Sequence, residues 1–491
     1  MAHENAYYVG LDIGTSGVKA ALMSGAGVLE ADALAPLEVF RPKPGWSEQN
    51  PADWWAATQS ALDQLAKAHP EKMARVRGLG LSGQMHGATL IDKDDKVLRP
   101  AILWNDGRSA AECAEIERDC PNSRQIAGNI AMPGFTAPKI AWVRTHEPDI
   151  YAQIAKVLLP KDYVRLCLSG DYVSDMSDAA GTLWLNVAER RWSPELLAAT
   201  GLDESHMPRL VEGSEDSAIL RDDLRQRWGM SEKVVIAGGG GDNAVPACGI
   251  GAIRPGEGFV SLGTSGVLFV TNDRFRPNTE GAVHAFCHAV PNTWHQMGVI
   301  LSATDSLNWI ASNLGQSSVD LANKVAESYQ GPGEEIFLPY LSGERTPHNN
   351  AAARGSFVGL SHLSDPVRLA QAVMEGVAFA FRDCQRVLGD AGTSVNKLIA
   401  VGGGSNSRLW LEMIATLLDQ EINILADGDF GGAFGAARLG LCAAEKADPF
   451  DVCTTPDIKT SVTPNSQWAD ALNANYQRYR ALYGAIEETR R

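Results

Sequence analysis

The stretch GLDIGTSGVKAAL, Gly10 to Leu22, has a partner in the second half of the chain: VSLGTSGVLFV, Val260 to Val270, repeats its centre, Gly-Thr-Ser-Gly-Val. In both copies an apolar run ends in a turn of small residues, the pattern of a buried strand that delivers a loop to a site. Asp12 stands just before the first turn, and Ser261 holds the matching place before the second. A chain of 491 residues is too long for one ordinary hydrophobic core. The repeat therefore predicts a duplicated α/β domain, residues 1–249 and 250–491, with a tight hinge and a cleft between the copies.

Other apolar runs end in the same way: VRGLGLSGQMHG, VVIAGGGGDN and KLIAVGGGSNSR. Helical patterns lie between them. Pro51 to His69 has Asn50 as N-cap and Pro51 in the first turn, and Asp365 to Leu388 carries apolar residues at helical spacing. Such alternation of strands and helices is the mark of an α/β protein. With 59 Asp and Glu against 43 Lys and Arg, a formal charge of -16, the chain lacks the basic balance of a general nucleic-acid binder. A small anionic ligand is compatible with that charge, because backbone N–H groups can hold phosphate inside an acidic protein. The eight cysteines are scattered with no C-x-x-C pair, so free thiols are expected rather than a metal site or disulfide framework. The first residues show no basic segment followed by an apolar one, and no apolar run approaches the roughly 18 residues of a membrane span. The expectation is a cytoplasmic protein with no membrane partner.

Several places carry groups that could do chemistry. In LDIGTSGVK, backbone N–H groups and the hydroxyls of Thr15 and Ser16 could surround a phosphate, and Asp12 would face it. Two negative groups so placed call for a divalent cation between them; a plain hairpin turn would read the same way. The second copy lacks the Asp and could hold phosphate without metal. In GGGGDN, Gly238 to Gly241 leave room for close approach and put Asp242 and Asn243 at the mouth. Asp242 there can accept the proton of an attacking hydroxyl, or can simply cap the next helix. VGGGSNSRLW adds a third glycine-rich turn. DGDFGGAFGAARLG, from residue 427 onward, adds small residues best read, over Ala433 to Ala437, as close helix packing. His86 in GQMHG follows a strand, a position that suits a ligand-facing loop and also an ordinary structural histidine. Trp104, Asn105, Asp106 and Arg108 in LWNDGR mix an aromatic face with hydrogen-bonding groups suited to a sugar, although Asp106 and Arg108 are close enough to pair with each other.

Taken in order, DIGTSGVK, GQMHG, LWNDGR, GGGGDN, SLGTSG, LPYLSGERTPHNN and VGGGSNSRLW resemble the FGGY carbohydrate kinases, from about Tyr8 to Leu441. The resemblance implies two duplicated ribonuclease-H-like domains of the actin and hexokinase type that close on ATP. It implies ATP-dependent phosphorylation of D-xylulose, with Asp242 as base and Asp12 beside Mg2+ and the transferred phosphate. Met85 and His86 would contact the sugar, helped by Trp104, Asp106 and Asn243. Gly14, Thr15, Ser16 and Lys19 from the first turn would lie along the nucleotide, as would Gly263 and Thr264 from the second and Gly403, Gly404 and Asn406 from the third. Glycerol-phosphorylating members carry an Arg-Glu pair where Met85 and His86 stand, so a charged triol clamp is missing here. The resemblance permits a homodimer and leaves the oligomeric state open. Another ketose or polyol, such as ribulose, is the nearest alternative substrate, and an actin-like ATPase without a sugar pocket is the alternative of a different class.

Overall fold

The computed structural model describes residues 5–426 and 431–490, so the first four residues of DGDFGGAFGAARLG lie outside the described residues. Each half of the chain builds a seven-stranded mixed sheet. We number the elements that position the site. The first sheet contains β1 (Tyr7–Ile13), β2 (Gly17–Ser24), β3 (Leu29–Pro36), β4 (Val76–Gly83), β5 (Asp216–Ile219), β6 (Val235–Ala237) and β7 (Gly240–Gly241). Its order is β5-β6-β4-β1-β2-β3, with β7 also paired to β4. The second contains β8 (Glu257–Leu262), β9 (Gly266–Asn272), β10 (His284–Cys287), β11 (Trp294–Ile300), β12 (Lys397–Val401), β13 (Ile422–Leu425) and β14 (Ile458–Val462), in the order β10-β11-β9-β8-β12-β13-β14.

The two sheets repeat one plan. An antiparallel hairpin, β1-β2 or β8-β9, lies beside a parallel strand, β4 or β12, and the far edge ends in an antiparallel pair, β5-β6 or β13-β14. The predicted helices form where their caps stand. Helix α1 (Pro51–Ala68) starts on Asn50, whose side chain accepts from the N–H of Ala52, and α4 (Pro366–Asp390) starts on Asp365, whose side chain accepts from the N–H of Arg368.

Alternation along β1 decides what covers each face. Val9, Leu11 and Ile13 pack in the cluster that contains Trp54, Ala57 and Ala61 of α1. Tyr8, Gly10 and Asp12 point the other way. On that side helix α5 (Gly432–Glu445) crosses the sheet, although it comes from the second half of the sequence. Gly10 and Gly80 let it lie on the strands: a Cβ on Gly10 would fall 1.8 Å from the carbonyl oxygen of Ala433, and one on Gly80 1.9 Å from that of Ala436. The packing expected of Ala433 to Ala437 is therefore what the small residues do. At Gly435 the helix crosses α3 (Ala244–Ile250), where a Cβ would fall 2.0 Å from the carbonyl oxygen of Val245. The two halves also share an apolar cluster in which Phe259, Phe269 and Phe286 meet Met85, Phe135 and Trp184. All eight cysteines are free. Among the described residues no helix is long and apolar enough to cross a membrane.

Candidate active site

Three neighbouring parallel strands end together. Asp12 on β1 and Gly240 on β7 both stand in register with Ser82, on either side of β4. The chain leaving each strand is tied to the next: Gln84 donates its N–H to Ile13, 2.8 Å, and Asp242 donates to Gly83, 3.1 Å. The first small-residue turn, Gln84–His86 and Asp242–Asn243 are thus gathered beyond the carboxyl ends of one sheet, where α/β proteins bind ligands.

Asp12 reaches the site on the face that carries α5. A Cβ on Gly432, in the first turn of α5, would fall 2.7 Å from Asp12 Cγ, so only glycine lets the positive end of the helix approach the carboxylate. Asp12 Oδ1 is buried without a hydrogen-bond partner, and burial raises the carboxyl pKa, opposed first by the neighbouring Ser82 hydroxyl and then by the charge of Lys19. Lys19 stands opposite Asp12 across the β1-β2 pair and lies 3.7 Å from Asp32. Asp242 is exposed on the cleft, with protein crowded around its carboxyl. That enclosure, and next the charge of Asp12, push its carboxyl up to about 7, while the Asn243 amide, which donates at 3.0 Å, holds it down. An unpartnered buried carboxylate oxygen beside a second carboxylate fits a divalent cation held by few protein ligands. Among the described residues no group of three or more acidic, His or Cys side chains is arranged for one, so water and phosphate oxygens would complete the shell, as is usual for Mg2+.

On the other side of these carboxylates the chain makes a small pocket wall. Met85 is buried against Gly241, where a Cβ would fall 2.9 Å from Met85 Cγ. His86 adopts the left-handed conformation, φ 71°, and its Nδ1 lies 2.6 Å from the Gly181 carbonyl oxygen. That contact requires a proton on Nδ1 and leaves Nε2 as an acceptor. Burial, and next the charge of Lys139, lower the imidazole pKa to about 3, so the ring is neutral. Lys139 and Thr136 both donate to the His86 carbonyl, which fixes the bend. Trp104 is 48% exposed and donates its indole N–H to Thr15 Oγ1, 3.0 Å. Asp106 is different: it is 2% exposed and both its oxygens are taken, Oδ2 by the Ser47 N–H and Oδ1 and Oδ2 by Arg108. Any sugar contact from Asp106 would have to share oxygens already committed to these partners. Its carboxylate pairs with Arg108 and pins the Ser47 backbone.

The first turn is braced by residues that the sequence did not single out. Gln84 accepts from Thr15 Oγ1 and donates to the Gly14 carbonyl, while Gln49 donates to the Thr15 carbonyl and accepts from Gln84 and Trp54. Position within GQMHG is the one signal that could have marked Gln84. Ser16 stays exposed.

A cavity of about 740 Å³ joins the two halves. Asp242 and Asn243 line one end, Gly402, Gly403 and Asn406 another, and Ser261 and Lys459 also face it. Asn406 spends its amide on the Gly403 carbonyl, closing its own turn, and Gly404 packs on Leu262, where a Cβ would fall 2.6 Å from Cγ. Gly263 and Thr264 do not line this cavity. Their carbonyls hold the start of the helix Thr304–Asn313, through the N–H groups of Thr304 and Ala303, and Thr264 is exposed.

Comparison with known proteins matches this arrangement to one family. Residues 7–249 match the N-terminal domain of the FGGY family of carbohydrate kinases and residues 258–444 its C-terminal domain. The chain is 49% identical to the xylulose kinase of Klebsiella pneumoniae over 98% of each chain. It is 46% identical to that of Escherichia coli strain K12, over 97% of this chain and 98% of the relative. A crystal structure described as a xyloylose kinase from Brucella ovis superposes with a TM-score of 0.97 at 55% identity, covering 98% of this chain and all of that one. With both domains matched and relatives of this identity along nearly its whole length, the chain belongs to the FGGY family of carbohydrate kinases.

Proposed function

We propose that the chain transfers the γ-phosphate of ATP to the terminal hydroxyl of D-xylulose, giving D-xylulose 5-phosphate. The observation that carries the reading is Asp242. It follows β7, across β4 from Asp12, opens on the cavity shared with Gly403 and Asn406, and has its carboxyl pushed up to about 7, where a general base is most effective. The names of the full-length relatives supply the sugar.

In this reading residues 1–249 hold the sugar and the base, and residues 250–491 hold the nucleotide. The Met85 side chain forms an apolar floor, His86 Nε2 accepts a sugar hydroxyl, Asn243 and the exposed face of Trp104 complete the wall, and Asp242 takes the proton of the attacking oxygen as it bonds to phosphorus. The turns at Gly14–Ser16, Gly263–Thr264 and Gly403–Asn406 border the nucleotide, and Lys19 adds positive charge opposite Asp12. Asp12 would hold Mg2+, which neutralises charge on the transferred phosphoryl group. Closure of the halves about the α3-α5 crossing excludes water, which would otherwise compete with the sugar for ATP.

The test is ADP release measured with D-xylulose, D-ribulose and glycerol in parallel. D-xylulose should give the highest kcat/KM by a wide margin. Equal turnover on all three would remove the claim of a ketose site, and ATP hydrolysis equally fast without sugar would favour an actin-like ATPase.

A further inference from the structure

Beneath the glycine loop that ends in Asp242 lies a fully buried ionic cluster that the phosphoryl-transfer reading does not use. Helix α2 (Pro160–Ser169) supplies Lys161 and Arg165, one turn apart. Lys161 Nζ lies 2.6 Å from Asp162, 2.9 Å from Asp175 and 3.1 Å from Asp178, and all four side chains are fully buried. Burial pushes the Asp178 carboxyl up, opposed by the charge of Lys161, so three carboxyl groups crowd around one ammonium with Arg165 one turn away. Charges taken out of water need compensating partners, and here the partners of the cluster include the backbone of the Asp242 loop.

Both cations reach the same loop. Arg165 donates to the carbonyls of Ala237, 2.7 Å, and Gly238, 2.5 Å, at its start. At its end, Asp175, held by Lys161, accepts from Ser177 Oγ at 2.6 Å, and Ser177 Oγ in turn accepts the N–H of Gly241 at 3.1 Å. Gly241 is the residue before Asp242. The contact is tight, since a Cβ on Gly240 would fall 2.7 Å from Ser177 Oγ.

We infer that Arg165 and the chain Lys161–Asp175–Ser177 are positioning residues for phosphoryl transfer, holding both ends of the Gly238–Gly241 loop so that the Asp242 carboxylate meets the attacking hydroxyl. The inference rests on the reading of Asp242 as base. Small misplacement of a reacting group costs rate rather than binding, so the signature is a loss in kcat with KM preserved.

Ser177→Ala removes the acceptor of the Gly241 N–H and little volume. It should lower kcat for D-xylulose phosphorylation by about tenfold or more, leave both KM values within about twofold, and move the acid limb of the kcat–pH profile. Arg165→Lys keeps the charge but loses the planar fork whose two nitrogens separately hold the Ala237 and Gly238 carbonyls, and should give the same kcat-only loss, which keeps the test open if Ser177→Ala does not fold. Asp242→Asn and the double variant Ser177→Ala/Asp242→Asn separate the two claims. A wild-type rate for Asp242→Asn would overturn the base. An inactive Asp242→Asn with wild-type kcat in Ser177→Ala and Arg165→Lys would overturn the positioning role alone. Equal rates for Asp242→Asn and the double variant are expected; a further tenfold fall in the double would show that Ser177 acts elsewhere and overturn the inference.

Discussion

The two Gly-Thr-Ser-Gly turns have the same letters and different geometry. In the first, Ile13 pairs with Val18 and Gly14 donates to the Gly17 carbonyl at 3.0 Å. In the second, Leu262 pairs with Gly266, one residue earlier, and Gly263 donates to Ser265 at 3.1 Å. A slip of one residue exchanges the two faces of a strand. Asp12 therefore faces Lys19, whereas Ser261 faces Val267 and not Leu268, the residue that matches Lys19. The first turn also has Asp242 beside it and the start of α5 over it, while the second uses its carbonyls to start a helix. The repeated loop thus keeps one hairpin plan while register, and a carboxylate present in the first copy alone, give the two turns different surroundings.

The largest way to break the comparison is to remove the base from the charged side. Asp242→Asn should lower kcat by about 10² to 10⁴, the range of a lost general base, with D-xylulose KM little changed. Wild-type turnover would mean that the first turn is no more catalytic than the second.

A titration sharpens it. The base acts unprotonated, so kcat/KM should fall about tenfold per unit as pH drops below an inflection near 7. Because the charge of Asp12 helps to raise that pKa, Asp12→Asn should move the inflection down; an unmoved inflection would show that the carboxylates do not sense each other.

The smallest effect is expected at the brace. Trp104→Phe removes the hydrogen bond to Thr15 and should cost about 0.5 to 1.5 kcal/mol in kcat/KM, roughly a factor of two to twelve. No change would mean that the exposed indole neither steadies the turn nor meets the sugar.

How far the sequence spoke depends on what each residue needed from afar. Strands ending in glycine, and helices marked by Asn50 and Asp365, were legible because period and caps are local signals. The cluster of Asp12, Met85, His86 and Asp242 was legible because each closes a strand whose partners lie in one sheet. The register slip was not, since it depends on hairpin closure rather than on the shared letters. The Asp106–Arg108 pairing was legible from their spacing, whereas the Ser47 N–H that completes it comes from a stretch distant in sequence. Gln49 and Gln84 stayed silent because a neutral amide has no chemical signature until its partners are in place. Lys161, Asp175 and Ser177 read as ordinary polar residues until burial brought them under Gly241.

Phosphoryl transfer to D-xylulose measured against Mg2+ concentration, in two variants side by side, tests the difference between the two turns most directly. Asp12→Ser, which copies the second turn into the first, should lose about a hundredfold or more in kcat and need more Mg2+ for half-maximal rate. Ser261→Ala should stay within about fivefold with unchanged Mg2+ dependence. Equal losses in the two variants, or an Asp12→Ser enzyme with wild-type rate and Mg2+ dependence, would contradict it.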